Sequence, residues 1–216
     1  MQKKFILKFK NALHKVLKYK KCSLHEPTFD KIESKYLLNV LKKRSVSTYG
    51  KETKVFEDKL KNFTNSKYAF CVINGTSGLH LSLFSSGINN NCEVLIPALN
   101  YIASSNAVIY CGGIPHFIDV EEFSFLSNLD QIEKAINKKT VGIVIPNLIG
   151  FLPDWKKINK IAKKYKLIII EDSADTLGGK INNISSGKYS DISITSFYGS
   201  HIITCAGNGG MICLND

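Results

Sequence analysis

The chain has 216 residues, 44% of them hydrophobic, which suffices for one sizeable core or for one domain with part of another. Its formal net charge of +11 is concentrated at the start: residues 1 to 21 carry eight lysines and no acid, and without those eight the rest is only +3. Arg44 is the single arginine, and the wealth of Lys, Asn and Ile reads as compositional bias rather than a polyanion footprint. No nucleic-acid partner is therefore expected. No apolar stretch approaches the ~20 residues of a membrane span. The start is not a secretory signal either, because lysines interrupt its apolar positions. Cys22, Cys71, Cys92, Cys111, Cys205 and Cys213 contain no C-x-x-C pair; several lie in apolar runs and read as buried free thiols, in a reduced cytoplasmic setting.

In chain order, Phe5, Phe9, Ala12, Leu13, Val16 and Leu17 recur at helical spacing among lysines. Residues 4–20 are thus either a basic amphipathic helix able to rest on an anionic membrane surface or a lysine-rich tail, the tail being the simpler reading. This sets residues 1–22 apart from a domain over 23–216. Helices are expected over 29–43 and 53–63, the second with Phe56, Leu60 and Phe63 on one face. Strand-like runs follow at 68–73, 93–96, 115–118, 141–145, 167–171, 191–195 and 210–214, separated by helical segments. Continuous β-branched runs of this kind indicate an α/β fold: a seven-stranded, mostly parallel sheet flanked by helices.

Ligands of such sheets sit beyond the carboxyl ends of the strands, so the chemistry is sought there. After the first strand, Asn74-Gly75-Thr76-Ser77-Gly78 opens a helix; its glycines, hydroxyls and free N–H groups suit a phosphate, or simply a capped turn. Tyr101, after the second strand, could stack on a planar ligand or merely pack. Glu171-Asp172-Ser173-Ala174-Asp175 ends a hydrophobic strand, where an acid needs a cationic or hydrogen-bonded partner, or serves as a helix cap. Ser196 closes the strand at 191–195, and His201 follows in a polar turn ahead of a glycine-rich stretch.

Taken in order, SVSTYGKETKVFEDKL, NGTSGLHLSL, PALNYIASSNAVIYCGGIPHFIDV, EDSADTLGG and SDISITSFYGSHIITCAGNGGMICLND resemble the DegT/DnrJ/StrS sugar aminotransferase family, from about Leu24 to Asp216. The resemblance implies the large domain of a fold-type I pyridoxal-phosphate enzyme, a homodimer acting on nucleotide sugars. It implies that Gly75, Thr76 and Ser77 hold the cofactor phosphate together with Ser196. Tyr101 would stack on the ring, Asp172 would pair with the ring nitrogen, and Asp175 would belong to the same cofactor set. No metal site is implied.

Two positions depart from the aminotransferase pattern. His201 stands where the motif S-F-x-x-x-K places its Schiff-base lysine, no lysine follows Lys188, and Asp175 replaces the usual His or Gln. An imidazole cannot form the stable imine of a primary amine, but it moves protons near neutral pH. Both departures resemble the nucleotide-sugar 3-dehydratases of the same family. That likeness implies conversion of pyridoxal to pyridoxamine phosphate by L-glutamate, then loss of the C3 hydroxyl from an NDP-4-keto-6-deoxyhexose, with His201 as catalytic base, in deoxysugar and surface polysaccharide synthesis. The alternative is a sugar aminotransferase, or an inactive fragment, since the family continues into a smaller C-terminal domain and this chain stops at Asp216.

Overall fold

The computed structural model describes residues 2–18 and 25–215. The elements are α1 (Gln2–Leu17), α2 (Lys31–Lys42), α3 (Lys51–Thr64), β1 (Tyr68–Val72), α4 (Gly75–Ser85), β2 (Glu93–Pro97), α5 (Ala103–Tyr110) and β3 (Ile114–Ile118). They continue with α6 (Leu129–Ala135), β4 (Thr140–Pro146), α7 (Trp155–Tyr165), β5 (Ile168–Asp172), β6 (Lys180–Ile181), β7 (Ile184–Ser185), β8 (Ile192–Ser196) and β9 (Gly210–Leu214). Seven strands form one sheet in the order β1-β9-β8-β5-β4-β2-β3, and β6 and β7 form a separate hairpin. Each of the seven lies within one residue of the ends expected from sequence. β9 runs antiparallel to β1 and β8, and all other pairings in the sheet are parallel.

The near-continuous apolar runs follow from burial on both faces. Alternation sends Val94, Ile96, Val144 and Ile170 to one face, where Leu79 and Leu83 of α4 and Ala107 and Val108 of α5 cover them. Leu95, Ile143, Ile145 and Ile169 point the other way, onto Trp155 and Ile158 of α7 and Ile132 of α6. On that second face α3 adds Leu60, packed with Ala69, Met211, Cys213 and Phe197. α7 shows how the sequence sorts itself: Trp155, Ile158, Ile161 and Ala162 are buried, while Lys156, Lys157, Lys160, Lys163 and Lys164 stay in water. Asp154 starts it by accepting the Lys157 N–H at 3.0 Å.

One expectation changes. Among the described thiols only Cys213 is buried; Cys71, Cys92 and Cys111 are half-buried, and Cys205 is exposed because it sits in the loop between β8 and β9. Cys22 and residues 19 and 20 of the basic segment lie outside the described residues. α2 begins with the Asp30 N–H donating to the Glu33 carboxylate at 2.7 Å, yet it buries no residue.

The functional edge depends on one close approach. β9 starts against the turn that opens α4, and a Cβ at Gly210 would lie 2.6 Å from the Asn74 carbonyl carbon and 2.9 Å from the Gly75 nitrogen. Both are backbone atoms, so neither can swing aside. Gly210→Ala is expected to lower unfolding free energy by about 2 kcal/mol or more in urea titration. Gly199→Ala, which meets nothing within 4 Å, should change it by less than about 0.5 kcal/mol.

Candidate active site

The carboxyl ends of the parallel strands meet at one edge of the sheet, around a cavity of about 1040 Å³. Its wall comes from the segments that follow β1, β2, β4, β5 and β8, and among the described residues no lysine lines it. Gly75, Thr76, Tyr101, Asp172, Asp175, Ser196 and His201 are all brought to this one wall. Ser77 is not. Its backbone N–H is committed to the Asn74 side chain at 2.7 Å as the cap of α4, and the helix carries it away from the cavity.

That cap leaves the first N–H groups of α4, at Gly75 and Thr76, without helical acceptors and at the positive end of the helix dipole. Ser196 stands beside them at the end of β8. A Cβ on Gly75 would be 2.9 Å from the Ser196 Cβ, so only glycine lets the two segments approach this closely. Ser196 Oγ accepts the Tyr198 N–H at 3.4 Å and keeps its own proton to donate. Together these groups make an anion cradle. Tyr101 sits at the rim, 75% exposed, with its N–H donating to Asn100 Oδ1 at 2.7 Å.

Alternation along β5 separates the two acids at its end. Asp172 faces the cavity, is only 8% exposed, and accepts the Ala174 N–H at 3.1 Å. Burial pushes its carboxyl up from the ordinary 3.8 to about 6, with the Ala174 bond and His201 acting against that rise and Asp175 adding to it. An acid so placed would be relieved by a cation bound in the cavity. Glu171 points to the opposite face and is fully buried, which also raises its carboxyl. It accepts the Asn147 Nδ2–H at 2.6 Å, while Asn147 Oδ1 accepts the Trp155 indole N–H at 3.0 Å.

Thr176 locks the neighbouring loops, donating to the Asn147 carbonyl at 2.8 Å and accepting the Gly150 N–H at 3.0 Å. Between them Ile149 holds φ 51 and ψ 37, a left-handed conformation that is costly for a β-branched residue, and it lines the cavity.

His201 lies in the loop of residues 197–209, which is closed by Phe197 N–H to Gly209 O at 2.9 Å and Cys205 N–H to Phe197 O at 3.2 Å. Its backbone N–H donates to Tyr198 O at 3.0 Å. Its Nδ1 lies 3.3 Å from Asp175 Oδ1, with 22% of the imidazole side chain and 45% of the Asp175 side chain exposed. The histidine contact is the largest of the causes that hold the Asp175 carboxyl below its usual range. The two unusual residues of the motif are thus one pair. Sequence reasoning missed His25, Asn100, Asn147 and Asn208, which also line the cavity. Asn147 directly follows β4 and was open to the end-of-strand argument; the other three sit in irregular segments with no periodic signal.

The fold is that of the large domain of a fold-type I pyridoxal-phosphate enzyme, and residues 27–216 match the model of the DegT/DnrJ/EryC1/StrS aminotransferase family. The chain belongs to that family. It is 34% identical over 192 residues to GDP-perosamine synthase of Vibrio cholerae, a match covering 89% of this chain and 52% of the relative. Among solved structures, an aminotransferase from Psychrobacter cryohalolentis superposes with a TM-score of 0.87 at 32% identity, over 91% of this chain and 50% of that one. The pyridoxal-phosphate form of a protein described as a sugar aminotransferase from Streptococcus pneumoniae superposes with a TM-score of 0.86 at 25% identity, over 91% and 54%. The chain thus spans about half the length of the relatives it matches. The functions these relatives carry are a synthase and aminotransferases, so they lend the 3-dehydratase expectation no support. Among the described residues no helix is long and apolar enough to cross a membrane, and no group of side chains is arranged to hold a metal ion.

Asp172 makes stability without ligand depend on pH. Its folded-state value near 6 exceeds the ordinary 3.8, so the folded protein takes up this proton first as pH falls. The resulting stabilisation is complete below about pH 4 and is lost as pH rises through about 6. Asp172→Asn removes the buried charge. Without ligand it should therefore be more stable than wild type at pH 7.5, by up to about 3 kcal/mol, with the advantage fading toward pH 4, as followed by thermal melts across pH.

Proposed function

We propose that this chain carries the cofactor-binding half of a pyridoxal-phosphate-dependent enzyme acting on nucleotide-linked sugars, with amino-group chemistry of the kind its relatives represent. The observation that carries the reading is the pairing, in one cavity, of a buried acid at a strand end with an anion cradle at a helix start. Those two features suit the two ends of pyridoxal phosphate. The α4 N–H groups at Gly75 and Thr76 and the Ser196 hydroxyl would hold its phosphate. Asp172 would keep its ring nitrogen protonated, and Tyr101 would cover the ring from the rim. The bound cofactor supplies an electron-withdrawing ring that acidifies a neighbouring C–H bond.

His201 would move the proton. Asp175 takes Nδ1, fixes the ring's orientation and leaves Nε2 for exchange with the bound molecules. With no lysine on the cavity wall among the described residues, and with His201 in the lysine's place, the cofactor would be held by noncovalent contacts alone. L-glutamate is the proposed amino donor and a nucleotide-linked keto sugar the acceptor, in a homodimer serving deoxysugar synthesis.

A second reading is favoured by the His201–Asp175 pair itself. An imidazole held by a carboxylate exchanges protons but cannot form the imine by which a lysine recaptures the cofactor and completes amino transfer, which suits loss of water from C3 of an NDP-4-keto-6-deoxyhexose. Product analysis separates the two. With pyridoxal phosphate, glutamate and a GDP- or CDP-linked 4-keto-6-deoxyhexose, amino transfer replaces the keto oxygen by an amine, whereas dehydration removes the C3 hydroxyl.

The noncovalent reading has its own test. After borohydride treatment, pyridoxal phosphate should dialyse away from wild type but stay attached to His201→Lys. Covalent trapping in wild type would overturn the noncovalent reading. His201→Gln should slow turnover by about 10²–10⁴-fold while leaving cofactor affinity within a few-fold.

A further inference from the structure

Helix α1 lies ahead of the family match, which begins at residue 27, so nothing in the site described above accounts for it. At about 100° per residue, Phe5, Ile6, Phe9, Leu13, Val16 and Leu17 fall on one arc of roughly 120°. The opposite arc takes Lys3, Lys4, Lys8, Lys10 and Lys15, with Leu7 as its one large apolar residue. Phe5, Ile6, Phe9, Leu13 and Val16 are all exposed, and no residue from Lys3 to Lys18 is buried. Two aromatic and several aliphatic side chains aligned in water form a surface that a partner would cover.

Charge decides which partner. The helix has no acid, and Lys8 and Lys10 border the apolar arc on either side, where their stems can lie along it while the ammonium groups stay in water. A second copy of α1 would bring like charges together. The remainder of the chain, at only +3, offers no strong acidic counterpart. A nucleic acid would meet the lysines and leave the aromatic arc in water. An anionic lipid headgroup layer satisfies both faces at once, taking the apolar arc below the phosphates and the lysines among them. The helix is 16 residues long, and no described helix is long and apolar enough to cross a membrane. It would therefore lie in the plane of the surface.

We propose that α1 is an interfacial anchor for an anionic phospholipid bilayer, holding the cofactor-binding domain at a membrane surface. The test is flotation of the full 216-residue chain with vesicles of phosphatidylcholine alone or with about 30% phosphatidylglycerol. The bound fraction should be at least about tenfold higher on the anionic vesicles and should fall severalfold near 0.5 M salt. Phe9→Glu with Leu13→Glu should cut anionic binding about tenfold, because it places charge on the arc that must enter the headgroup layer.

Trp155, the only tryptophan and fully buried, reports whether each variant keeps its core. Phe9→Trp adds a probe whose emission should shift to the blue on anionic vesicles. Equal or absent binding on the two vesicle types overturns the proposal. So does anionic binding that ignores Phe9→Glu with Leu13→Glu, which marks a simple polycation. A lipid-independent dimer that depends on Phe9, or RNA binding that exceeds vesicle binding, overturns it as well.

Discussion

A carboxylate placed where little water reaches it organises the whole functional edge. Asp172 ends a strand that is buried on both faces, so its charge is exposed to the desolvation that the sheet imposes on Ile169 and Ile170 beside it. One backbone N–H offsets only part of that cost. The remainder is available to any cation bound in the cavity, which is how a sheet built for packing becomes a site. Its neighbour Glu171 shows the other outcome: one residue earlier the pleat points to the opposite face, where its Oε1 joins a side-chain chain through Asn147 to Trp155.

The same edge needs its backbone held in place. Thr176 ties the loop after β5 to the loop after β4, and Ile149 is held between them in a left-handed conformation at the cavity rim. Gly210 and Gly75 allow β9, α4 and β8 to meet with no Cβ between them. The anion cradle and the buried acid are therefore parts of one rigid frame, while His201 sits on a longer loop closed at its base by backbone hydrogen bonds.

Much of this was legible in the residues. The seven strands appear where β-branched runs stand, because burial on both faces demands continuous apolar sequence and few other patterns satisfy it. A helix start near Thr76 was legible too, although the cap is Asn74 rather than the Ser/Thr hydroxyls of the motif. Less visible were His25 and Asn208, which lie in irregular segments and reach the cavity only through the path of the chain. Ser77 looked equivalent to Thr76 in the motif. Helical rotation of about 100° per residue and the Asn74 cap turn it elsewhere.

By itself the sequence determined the α/β class, the strand positions, the family resemblance and the substitution of His201 for a lysine. These rest on short-range rules of periodicity, turn chemistry and residue identity, which need no knowledge of what folds against what. The tertiary structure alone decided that β9 runs against its neighbours, that Asp172 rather than Glu171 faces the cavity, and that its proton affinity rises. It also decided that His201 and Asp175, 26 residues apart, form one pair at 3.3 Å. Desolvation and long-range pairing exist only once strands from distant parts of the chain share an edge, and no local pattern encodes that distance.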